Sequence, residues 1–119
     1  MEACLPRTKM TIHARVVSQG GILDHGIYEG EASMNPQQQD LYKNLIGDGL
    51  AKVSVGRDLA EKDYGNGGGV LVNVTLTCDQ SQAALNQAVQ LAYQIADGAV
   101  WHYQAQVKQE LINRGMLRA

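Results

Sequence analysis

The chain has 119 residues, of which 45% are hydrophobic and 18% charged, and its formal net charge is −2. This describes one globular domain with enough chain to close its own core. Without an excess of Lys and Arg it does not have the broad basic footprint that nucleic acid or a membrane surface requires.

Residues 1–9 read as a flexible tail and residues 10–119 as a single α+β domain. Phenylalanine is absent, so the core must rest on Val, Leu, Ile and Ala. Two cysteines, Cys4 and Cys78, do not make a disulfide framework. The chain shows no signal-type apolar run and no stretch long enough to span a bilayer. A reduced, cytoplasmic protein without a cofactor is the expectation.

From Lys9 to Val17 the residues alternate: Met10, Ile12, Ala14 and Val16 point one way and Thr11, His13, Arg15 and Val17 the other. This is the period of a half-buried strand. A short second strand is expected around Ile22–Glu29, within a glycine-containing stretch. Asn35-Pro36 then opens a helix, because Asn35 caps, Pro36 suits the first helical position and Gln38 completes a capping box. Gly47 or Gly49 ends it. A hairpin follows, with Leu50–Gly56 as one arm and Gly69–Cys78 as the other. The link from Arg57 to Gly68 is long for a hairpin, so the arms can extend into it. In the second arm Val70, Val72, Val74, Leu76 and Cys78 share one face, and the β-branched enrichment favours a strand.

The last third, from Asp79 to about Arg114, reads as one long amphipathic helix. Asp79 is placed as its N-cap, Gln82 at the capping-box spacing, and Gly115 as a left-handed C-terminal cap. Leu85, Val89, Ala92, Ala96, Val100, Tyr103, Val107 and Leu111 belong to one apolar stripe. About 35 residues at ~1.5 Å each make a rod of roughly 50 Å. A compact globule of this length has a diameter near ~35 Å, so about a third of the rod overhangs. Two readings follow. In one the helix is continuous and a second copy covers the stripe. In the other it breaks at Asp97-Gly98 and the chain is a monomer. The element order is β-(β)-α-β-β-α, a mainly antiparallel sheet of three to four strands with the long helix packed on one face.

Three features are candidates for function. Trp101 falls opposite the apolar stripe, beside Gln94, Asp97 and Lys108. An exposed indole there fits a macromolecular contact, and the competing reading is an indole covered by a loop or by the N-terminal tail of its own chain. Gly65-Asn66-Gly67-Gly68-Gly69, with Arg57, Lys62 and a neighbouring subunit's Arg114, has the backbone freedom to hold a small anion or nucleotide. It lacks the Gly-Lys-Ser/Thr ending of a phosphate-binding loop and precedes a strand, so a plain hairpin tip competes with the anion site. Thr11, His13, Arg15, Lys52, Ser54, Asn73, Thr75 and Thr77 can share the polar face of the sheet. That face has no aromatic platform for bases, and a solvated surface is the simpler reading.

Catalytic and metal motifs are missing: His13, His25 and His102 have no ligand spacing. Asp24-His25 is the only compact acid/base pair, and neighbours in sequence usually point apart. The sequence therefore points to a non-enzymatic protein that associates with itself and contacts a macromolecule. A binder of small anions at the glycine-rich loop is the alternative.

Overall fold

The computed structural model describes residues 8–117. Four strands, β1 (Thr8–Ser18), β2 (Gly21–Gly30), β3 (Ala51–Ala60) and β4 (Gly69–Cys78), form one antiparallel sheet in the order β2-β1-β4-β3. Two helices, α1 (Pro36–Leu45) and α2 (Gln82–Asn113), complete the expected α+β fold. The helix α2 packs across β3 and β4, and α1 packs against α2. Since β1 begins at Thr8, the expected tail does not include residues 8 and 9; the rest of it, with Cys4, lies outside the described residues.

The alternation in β1 and β4 is the one the sequence carries. Met10, Ile12, Ala14 and Val16 are buried on the helix side, and Val70, Val72, Val74, Leu76 and Cys78 join them. In β2 the ladder slips: Ile12 pairs with Tyr28 but His13 pairs with Gly26, so Ile27 is an extra residue. This bulge brings Ile27 against the core. Both arms of the hairpin are ten residues long, and β3 runs on to Ala60 before a short 3₁₀ turn at Lys62–Tyr64.

The helix α1 starts as its sequence dictates. The Asn35 side chain accepts from the Gln38 N–H at 2.8 Å and the Gln38 side chain accepts from the Asn35 N–H at 3.0 Å, with Pro36 in the first turn. Its end passes through Ile46 to Gly47 at φ +49°. Tyr42 and Leu45 are its buried residues.

The start of α2 differs from expectation. Its N-cap is Ser81, whose hydroxyl accepts from the Ala84 N–H at 3.2 Å. Asp79 is occupied elsewhere: one carboxylate oxygen accepts from the Asp48 N–H at 3.1 Å and the other from the Ser81 N–H at 3.0 Å. It ties the α1–β3 loop to the entry of α2. Gln82 does not reach back either; its amide donates to Asn86 at 3.0 Å, one turn on.

From there α2 is one helix of 32 residues that passes through Gly98 without a break. It ends in a Schellman arrangement around Gly115 at φ +76°, with Met116 N–H to Leu111 C=O and Gly115 N–H to Ile112 C=O both at 2.9 Å.

Buried residues run from Ala84 to Leu111, along nearly all of α2, which corrects the bare overhang expected from sequence. The molecule measures 48 × 28 × 23 Å. A helix of this length spans about 48 Å at ~1.5 Å per residue, which is the long dimension of the body. Ten-residue strands are long enough to follow most of it. The buried residues of α2 form two ladders with four-residue steps, Ala84-Ala88-Ala92-Ala96-Val100 and Leu91-Ile95-Ala99 continued by Val107-Leu111. Each step of four turns the buried direction by about 40°, since the helix advances about 100° per residue. The contact face therefore winds along the rod and follows the twist of the sheet beneath it.

Candidate interaction surface

The stripe expected to meet a second copy is largely covered by the chain's own sheet. Ala92, Ala96, Val100, Val107 and Leu111 are buried in the core, and Leu85 and Tyr103 are partly buried against it. Val89 alone among them is open, at 45% exposure. For the buried members, packing on β3 and β4 replaces the expected subunit contact. The burial of an apolar stripe needs a surface, and a long twisted sheet provides one.

What remains open on α2 is a different set. Trp101 is 55% exposed and Tyr93 51%, and with Val89 they follow one another at steps of four and eight residues. No loop of the described chain covers the indole. Tyr93 is a residue that sequence reasoning missed; its signal was an angular position well away from the stripe.

The polar neighbours of Trp101 are engaged within the chain. Asp97 accepts from Arg57 at 3.0 Å, tying the middle of α2 to β3. Lys108 pairs with Asp63, and Gln104 donates to Glu61, so the next turns of α2 hold the β3–β4 connection. The hydrogen bond to Asp63 and its charge push the Lys108 ammonium pKa up. Asp97 and Lys108 are thus structural ties as well as members of the expected contact set. Gln94 lines a groove of about 350 Å³ between the start of α1 and the middle of α2 with Asn35, Gln38, Gly98 and His102.

The glycine-rich connection is shaped by close backbone packing. A Cβ on Gly65 would strike the Val17 carbonyl, one on Gly68 the Tyr64 carbonyl, and one on Gly69 the Leu59 carbonyl. Gly67, at φ +83°, faces open space. Lys62 and Asn66 are exposed beside it. Of the cations assigned to an anion site, Arg57 is held by Asp97 and Arg114 by Glu110 at 2.9 Å. Glu61 and Asp63 add negative charge at the same turn. Tyr64, which leads into the glycine run, is buried under this connection, and its hydroxyl has no hydrogen-bond partner among the described residues.

The polar face of the sheet assembles as expected. The register sets Thr11 opposite Asn73 and Lys52 opposite Thr77, and Ser54 Oγ lies 2.8 Å from Thr75 Oγ1. His13 and Arg15 share it, but acids are interleaved: Lys9 pairs with Glu29 at 3.1 Å and His13 Nδ1 lies 3.8 Å from Asp24. Asp24 thus faces His13 and not His25. Cys78 is buried, and burial pushes its thiol pKa up, followed by the nearby Asp79 and Asp48 charges. Among the described residues no three His, Cys, Asp or Glu side chains are grouped to hold a metal ion, and no helix is long and apolar enough to cross a membrane. Comparison of the chain with family models, with curated proteins and with solved structures gives no match.

Proposed function

We propose that the protein is a non-enzymatic interaction module that associates with itself along the flank shared by α2 and β3 and presents Trp101 to a macromolecular partner. The observation that carries this reading is the exposure of Val89, Tyr93 and Trp101 on one helix whose other large apolar residues are buried or partly buried. Tyrosine and tryptophan are enriched at the energetic centres of protein interfaces. Light scattering on the purified chain over a range of concentrations tests self-association. A mass above one chain, lowered by Tyr93→Lys, is expected; a single-chain mass throughout would sink the proposal. Trp101→Ala should leave the melting temperature nearly unchanged, since a half-exposed indole contributes little to the core.

The alternative is a small-anion site at Gly65–Gly69. The open, left-handed Gly67 and the exposed Lys62 favour it. The paired state of Arg57 and the two adjacent acids weigh against it. A thermal-shift panel of nucleotides and inorganic phosphate at millimolar concentration discriminates, and the absence of any shift would remove this reading.

A further inference from the structure

The sheet has two edges, and they are not equivalent. The strand β2 is bulged at Ile27, a device that blunts an edge. The strand β3 is regular over its ten residues, with an unbroken register against β4 and no neighbour on its outer side among the described residues. Its outward backbone groups can be assigned. The Glu61 N–H bonds the Gly68 C=O at 3.1 Å just past the strand's end, so Glu61, Leu59, Arg57, Val55 and Val53 turn inward to β4. Antiparallel strands alternate, and Lys52, Ser54, Gly56 and Asp58 therefore point their N–H and C=O groups outward. The Asp58 carbonyl agrees with this, because it accepts from the Arg57 side chain rather than from β4.

Resting on the self-association proposed above, we infer that the occupant of this edge is β3 of a second copy, paired antiparallel about a two-fold axis at Val55. In that register Lys52 lies opposite Asp58 of the second copy, and Asp58 opposite the second copy's Lys52, both as hydrogen-bonded pairs. Moving the axis by one residue either way sets Lys52 opposite Gly56 or Ala60 and loses both charge matches. Ser54 meets Gly56 between them, so nothing bulky obstructs the polar face. On the helix side Val55 meets its own copy, and Val53 and Leu59, only partly buried in one chain, gain cover. The Asp58 carbonyl keeps Arg57 on one lone pair and accepts from the second copy on the other. Both copies use the same surface, so the assembly closes at two chains. The two sheets become one of eight strands with the polar face continuous across the join.

A charge swap tests this on the full chain. Lys52→Asp sets like charges opposite each other twice and should weaken dimerisation by at least about tenfold, as should Asp58→Lys. The double variant K52D/D58K restores the match and should recover wild-type dimerisation. Val55→Cys, in a Cys4→Ser background, should form an intersubunit disulfide on mild oxidation, since directly opposite residues in a non-hydrogen-bonded pair come within bridging range. A wild-type dimer whose mass is indifferent to both single charge changes, or a Val55→Cys variant that stays unlinked, overturns the β3 pairing and leaves self-association standing. A wild-type chain that is a monomer at every concentration overturns both.

Discussion

The Tyr42 hydroxyl completes the backbone ladder of Thr77. It donates to the Thr77 carbonyl at 2.7 Å and accepts from the Thr77 N–H at 3.2 Å. The first described pairing of β1 with β4 is Thr8 opposite Leu76, so Thr77 lies just past it, and a side chain from α1 serves its backbone groups. Tyr42→Phe keeps the ring and strands both groups. The expected cost is about 1–3 kcal/mol in chemical denaturation, because buried backbone groups without partners are expensive. An unchanged midpoint would show that water replaces the hydroxyl.

Asp79 links stability to acid. The N–H groups of Asp48 and Ser81 hold its carboxyl below the usual carboxylate range. A lowered folded pKa stabilises the fold above the unfolded value of about 3.9. That contribution disappears as the pH falls through the lowered value. Asp79→Ala should therefore lower stability at neutral pH and flatten the acid limb of a stability-versus-pH curve. Parallel curves for the two proteins would assign the acid limb to other carboxylates.

Gly65 and Gly67 separate close packing from chain freedom. Both have positive φ, at +90° and +83°, but only Gly65 has a backbone carbonyl where a Cβ would sit. Gly67→Ala should cost about 1–2 kcal/mol from left-handed strain alone. Gly65→Ala should cost more, because the Val17 carbonyl and the end of β1 must move. Equal costs by thermal melting would mean that the connection shifts freely away from β1.

Tyr64 is buried with its hydroxyl unmatched among the described residues. Tyr64→Phe should be neutral or stabilising by up to about 1 kcal/mol, whereas Tyr64→Ala should cost roughly 3–5 kcal/mol, the range for emptying an aromatic site. Burial, followed by the charges of Glu61 and Asp63, pushes the phenol pKa up to about 12. The unfolded phenol ionises near 10, so the wild type should lose stability from about pH 10 upward and Tyr64→Phe should lose less.

Much of the fold could be read from local pattern. The alternation of Met10–Val16 and Val70–Cys78, the Asn35-Pro36-Gln38 start and the Gly115 stop are all short-range signals, and each is present in the structure. What local pattern could not provide was the shape of the body. A diameter taken from a compact sphere made α2 appear too long, because strand length enters the dimensions only through long-range pairing. The N-cap was misplaced for a related reason. Asp79 and Ser81 are both good caps, and only the fold reveals that Asp48, distant in sequence, claims the carboxylate. The sequence identified Trp101 as an outward residue but could not show that Asp97 and Lys108 are tied to β3 and its connection.

Val89 and Val107 are 18 residues apart, which is about five full turns, so a helical wheel prints them on the same spot. One is open to solvent and the other is in the core. A substitution scan along α2 should thus trace a spiral of sensitive sites and not a line. Any binder that grips the rod from end to end has to coil around it, and a short ligand will encounter a different chemistry at each end.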